Sequence, residues 1–240
     1  MADNRLLPAL LTAGLLALGV AAAGALIGRG VENARVGDRA VTVRGLSERV
    51  VKADLAVLPL RFAAAGDVLA DVQTEVDADL VVVRRFLAAQ GYAAGEVDLG
   101  QLQVVDQYAR EYQQQNVGAR FLLAQTVVVR TPNVDRVQRT TRQLNELVRQ
   151  GVVLQDYRGP SYLFTKLNEV RPAMIAEATA SARTGAAQFA RDSRSELAGI
   201  RSATQGSFEI LPRDDLGDSD ERSQVYKRIR VVTTVSYRLR

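Results

Sequence analysis

The chain has neither cysteine nor histidine among its 240 residues. The first absence excludes disulfides, thiol nucleophiles and thiolate metal sites. The second excludes imidazole ligands and every acid–base device built on a side chain that titrates near neutral pH. Tryptophan is missing as well, and aromatic residues make up only 5%. Any core must therefore be built from valine, leucine, isoleucine and alanine. Lysine occurs only at Lys52, Lys166 and Lys227, so arginine supplies nearly all of the positive charge behind the formal net +4. The arginines are scattered among acids and form no run of five or more. That is a mixed, solvated surface, and no nucleic-acid partner is expected. The P-loop, the GxGxxG fingerprint and the GxSxG elbow are all lacking. No catalytic residue, cofactor or metal is expected, and the chain does not read as an enzyme.

Charge of either sign is absent from Leu6 to Ile27, a Leu-, Ala- and Gly-rich run of about 22 residues bounded by Arg5 and Arg29. At about 1.5 Å per residue, such a run spans a hydrocarbon core. It has no polar face, unlike a buried soluble helix of that length. A cleaved signal peptide is the rival reading, with small-x-small sites such as Ala21-Ala22-Ala23. Its apolar region is ordinarily only about 7–15 residues, and a retained single transmembrane helix is expected. Ala17, Ala21, Gly24 and Gly28 put small residues on one face, where transmembrane helices can approach closely. Arg29, Arg35 and Arg39 follow the run and Arg5 precedes it, and this balance by itself would keep the following domain cytoplasmic.

The expected domains are an anchor over 1–29, a polar linker over 30–39 with Gly30 and Gly37, and one α/β domain over 40–240. Val41–Val43 and Asp54–Phe62 read as strands. Val72, Val76, Leu80, Val83 and Leu87 recur at helical spacing, and Gly91 stops that helix. Val97–Tyr108 and Phe121–Arg130 read as a hairpin. Pro132-Asn133 opens a second helix that ends at Gly151, and Val152–Phe164 returns as a strand broken at Gly159-Pro160. A long Ala-rich helix over Asn168–Leu197 should bury Ile175, Ala178, Ala182, Ala186 and Phe189. Those positions are mostly small, so it should pack close to a sheet. Ile200–Leu211 and Val225–Leu239 are the last strands, enclosing an acidic loop. The fold class is α/β (α+β): a mixed sheet with covering helices, in the order β-β-α-β-β-α-β-α-β-β, preceded by the transmembrane helix. The unit strand–helix–Gly–strand occurs twice, near 54–108 and 119–164.

Three further groups bear on chemistry. Asp214, Asp215, Asp218, Asp220 and Glu221 are the densest carboxylates, but they lack the regular offsets of a calcium loop and read as a solvated turn. Ser161 and Lys166 have no oxyanion-hole turn beside them to make a nucleophile pair. Tyr108 and Tyr112, beside Gln113 to Gln115, mark a possible interaction loop at the hairpin tip.

Val41-Thr-Val-Arg-Gly-Leu-Ser-Glu48, followed by Lys52-Ala-Asp-Leu-Ala56, resembles the opening of the SIMPL-domain family, which includes the YggE-like proteins. Pro172-Ala-Met-Ile-Ala-Glu-Ala-Thr179, continuing through Ala186-Ala-Gln-Phe-Ala190, is similar to that family's long helix, and Val231-Val-Thr-Thr-Val-Ser-Tyr237 to its final strand. The resemblance covers about residues 40–240. It implies a bacterial envelope protein, usually exported and facing the periplasm, with members linked to envelope or oxidative stress and some forming ring-like homo-oligomers. The inner-membrane placement comes from the N-terminal run, which stands where many members have a signal peptide. The resemblance implies no catalytic residues. The expected function is a membrane-anchored structural or interaction protein. The alternative is a periplasmic binding module for a peptide, lipid or envelope protein.

Overall fold

The computed structural model describes residues 6–36, 39–109, 118–214 and 220–240, and side chains on the first of these stretches only from 14 to 29. Helix α1 runs Leu6–Val36, so it continues through most of the stretch expected as a linker. Among the described residues, no helix is long and apolar enough to cross a membrane. The expected transmembrane helix is therefore not established by the structure.

The chain falls into two compact units, α1 belonging to the first: Met1–Ser47 with Pro172–Phe208 and Val231–Arg240, and Glu48–Arg171 with Glu209–Arg230. The expected mixed sheet is replaced by two four-stranded sheets. All the registered pairings are antiparallel.

The second unit holds β2 (Leu55–Gly66), α2 (Leu69–Ala89), β3 (Val97–Asp106), β4 (Phe121–Thr131), α3 (Val134–Arg142), α4 (Asn145–Arg149) and β5 (Ser161–Leu163). Its sheet order is β3-β4-β2-β5. Two strand–helix–strand passes are interleaved, each returning on the far side of the other's first strand. This is the split β-α-β, or ferredoxin-like, arrangement, and it gives the duplicated sequence unit its structural meaning. Alternate residues of β2 (Ala56, Leu58, Leu60, Phe62) and β4 (Leu123, Val127, Val129) are buried with Val72, Val76, Val83 and Leu87 of α2. Gly91 and Gly151 end the helices at φ +85 and +92, a region that L side chains rarely adopt. Asn133 caps α3 by accepting the Arg136 N–H at 3.0 Å.

Two expected elements of this unit are corrected. The second helix breaks at Gln143-Leu144, just after Thr140 and Thr141 turn their hydroxyls back onto the Arg136 and Val137 carbonyls. Such back-bonding competes with the helical ladder and bends it. The strand expected over Val152–Phe164 shrinks to β5 and a single bridge from Leu154 to Phe62. Positive φ at Asp156 and Gly159 takes the chain off the strand between them.

The first unit is built on β1 (Ala40–Lys52), α5 (Leu167–Asp192), β6 (Leu197–Gln205) and β8 (Tyr226–Leu239), of which β1, α5 and β8 are shared at their ends with the second unit. The Leu239 N–H donates to Arg39 O, and Thr42 Oγ1 meets Ser236 Oγ at 3.2 Å. Those contacts set β1 and β8 antiparallel. The strand expected over Ile200–Leu211 splits at Gly206, whose N–H donates to Val232 O. Its second piece, β7 (Glu209–Pro212), pairs with Lys227 to Arg230 of β8 in the other unit's stretch of chain.

Candidate functional site

β1 alternates, so Val43, Gly45 and Ser47 share one face. That face meets α5, whose buried residues are Met174, Ala178, Ala182, Ala186 and Ala190. Recurrence at every fourth residue lays one ridge of small side chains along the strand. A Cβ at Gly45 would run into the Ala178 carbonyl and lie 2.5 Å from Ala182 N, so the backbones touch where neither side supplies bulk. Ser47, buried, donates to Glu177 Oε2 at 2.7 Å and fixes the helix along the strand. The expected inner face is corrected at its ends. Met174 and Ala190 replace Ile175 and Phe189, and Phe189 is 61% exposed, because it falls off the four-residue ridge.

Asp54 gathers the corner that leads into α5. Its carboxylate accepts the Thr165 N–H at 2.8 Å, the Thr165 hydroxyl and the Lys166 N–H at 3.1 Å. Lys166 is thus a corner residue and Ser161 a β5 residue paired with Val57. Among the described residues no hydrogen bond joins them into a nucleophile pair.

At the hairpin end, Asp106 accepts from Arg120 Nη2 at 3.0 Å and from the Tyr108 N–H. The Arg120 guanidinium holds this carboxyl below its ordinary range and lies over the rings of Tyr108 and Phe121. Tyr108 is exposed, while Tyr112 lies outside the described residues. The expected interaction loop is represented by Tyr108 alone.

Of the acidic loop, Asp215 and Asp218 are outside the described residues. Asp214 is tied to Arg213 at 2.7 Å, and Asp220 caps a short 3₁₀ turn through the Arg222 N–H. Among the described residues, no three metal-ligating side chains converge. On α1, Ala17, Ala21, Gly24 and Gly28 are exposed. A Cβ at Gly24 or Gly28 would meet nothing within 4 Å.

Residues 41–236 match the model of the SIMPL family, described as a protein of unknown function (DUF541). The chain belongs to the SIMPL family. No curated protein matches it. The opening motif of this SIMPL protein has a physical reading: Gly45 and Ser47 seat α5, and Asp54 pins the corner before it.

Two networks lie outside the candidate groups of the sequence. Lys227 is fully buried, its ammonium 2.8 Å from Glu221 Oε1 and donating also to the Glu221 carbonyl. Alternation along β8 could have placed it inward, beside Ile229 and Val231, but its partner sits on an irregular turn. A second network joins Tyr92 to Thr140 at 2.9 Å and Arg136 to Glu96 at 3.1 Å. The Thr131 side chain and the Ala93 N–H hold the Glu96 carboxyl below its usual value. Burial near Tyr157 and Tyr92 pushes the Tyr162 phenol up to about 12.

Proposed function

We propose that this SIMPL protein is a bacterial envelope protein held in the inner membrane by α1, with its α/β part in the periplasm. It self-associates there and has a structural or interaction role, not a catalytic one, in envelope or oxidative stress. The observation that carries the reading is α1 itself. Leu15, Leu16, Leu18, Val20, Leu26 and Ile27 point outward around its circumference and are each more than two-thirds exposed. They belong to the charge-free run Leu6–Ile27. In water each such side chain forgoes about 1.5–3 kcal/mol of burial, whereas in lipid it is at home. Anchors on all copies hold their domains in one plane and raise their effective concentration, which favours even weak contacts. Small residues at Ala17, Ala21, Gly24 and Gly28 suit close helix approach in lipid. The periplasmic side rests on the family resemblance, against the arginines that follow the run.

The full chain, purified in a mild detergent and weighed by light scattering, should be a defined multimer; a monomer contradicts self-association. The side is read separately. With no native cysteine, a Ser202→Cys reporter is the sole thiol. It should react with a membrane-impermeant maleimide on intact spheroplasts, and protection until lysis would place the domain in the cytoplasm.

A further inference from the structure

Among the described residues β3 is an edge strand, with β4 on one side and no strand on the other. Val97, Leu99, Leu102 and Val104 pair with Val129, Val127, Gln125 and Leu123, the β4 residues buried on the helix-covered face. Residues paired across strands share a face, so these four belong to the core side of the sheet. Yet Leu99 is 53%, Leu102 46% and Val104 51% exposed. Leu99 and Leu102 are three apart and in a regular strand would point to opposite faces. The register shift at Gly100-Gln101 returns Leu102 to the face of Leu99. Gln125, itself buried, pins that bulge: its Nε2 donates to Gly100 O at 3.2 Å and to Gln101 O at 3.4 Å. A bulge and a buried amide therefore maintain an apolar row that the fold's own helices leave half uncovered.

At the Val97 end of the row lies a cavity of about 330 Å³, lined by Arg84, Ala88, Tyr92, Ala93, Ala94 and Val97. The Arg84 guanidinium has no hydrogen-bond or ion-pair partner among the described residues. A free strand edge offers N–H and C=O groups at strand spacing, and an extended peptide satisfies both. An antiparallel peptide would begin near Asp106 and finish near Val97, bringing its C-terminal end to Arg84.

We propose that the β3 edge binds an extended peptide that adds antiparallel to the sheet, sets alternate apolar side chains on Leu99, Leu102 and Val104, and places a carboxylate at its C-terminal end against Arg84. A second copy of β3 fits less well. The acid it would bring toward Arg84 is Asp106, which Arg120 already holds at 3.0 Å. The site stands apart from anchoring and self-association, and either can fail without the other.

The test uses the full chain in detergent and a fluorescent octapeptide of alternating threonine and valine, N-acetylated, with either a free C-terminal carboxylate or an amide. The carboxylate form should bind about three- to fivefold more tightly than the amide, the size of an exposed ion pair. Arg84→Gln should remove that difference and leave amide binding unchanged. Leu99→Asp should weaken both peptides by more than about tenfold, since it denies burial to an apolar side chain. Leu99 is an exposed edge residue, and an unchanged helical circular dichroism signal checks that the variant is folded. No binding, equal binding of the two forms, or binding indifferent to Leu99→Asp each overturns the proposal. So does a fall in the mass of the unliganded chain on Leu99→Asp, because the edge would then belong to a second copy.

Discussion

A methyl group at Gly45 would run into the Ala178 carbonyl and sit 2.5 Å from Ala182 N. Both obstacles are backbone, so no side chain can swing aside. Gly45→Ala should lower stability by about 3 kcal/mol or more, the upper range of overpacking, read as a fall in the denaturant midpoint. Lys227 gives a second test at this scale. Lys227→Ala leaves Glu221 without its cation and opens a cavity. The loss should be about 2–4 kcal/mol, somewhat under that of a fully buried pair, because the Glu221 side chain keeps 27% exposure. Lys227→Met fills the cavity but still leaves Glu221 without its cation, so it should recover only part of that loss, about 1–2 kcal/mol of it. Tyr162 ties stability to pH. Its folded value is raised to about 12, above the ordinary phenol value of about 10. Its contribution is thus complete below about pH 10 and lost as pH rises from there through about 12. Tyr162→Phe should flatten that part of the stability–pH curve, measured by denaturant titration beside tyrosinate absorbance.

At the scale of elements, α5 is ordered by the every-fourth-residue ridge against β1. Ala182→Leu should destabilise by about 1–3 kcal/mol. Ala180→Leu, on the exposed side of the same helix, should change stability by no more than about 0.5 kcal/mol. Thermal melts of the pair check the assignment. Much of this level could be read from sequence. Helical spacing located α2, glycines at 91 and 151 marked its end and that of α4, and small residues foretold a close helix–sheet contact. Phe189 departs from the pattern because apolar character at helical spacing does not say which ridge the strand selects. The second helix broke where two threonines compete for its carbonyls, and propensity along the chain does not register that competition.

At the scale of the molecule, sequence pattern stops short. One alternating strand looks like another, and nothing local in Val41–Val43 says that β1 pairs with a strand close to the other end of the chain. Two sheets rather than one follow from such long-range pairing. Site residues fared likewise. Asp54 and Gly45 stood in motifs, whereas the β3 row, Gln125 and Arg84 acquire meaning only once the bulge and the free edge are in place. The N-terminal run Leu6–Ile27 is read from composition alone, and the described residues do not establish it as a span.

The central claim is that α1 holds the protein in a membrane. The direct measurement is an alkaline carbonate wash of membranes from bacteria expressing the full chain, alongside a variant carrying Leu16→Arg and Val20→Arg. The account predicts that the parent stays with the washed membranes and the double variant is released, since two arginines at the helix centre oppose insertion by about 2.5–3.5 kcal/mol each. Release of the parent into the wash would contradict it.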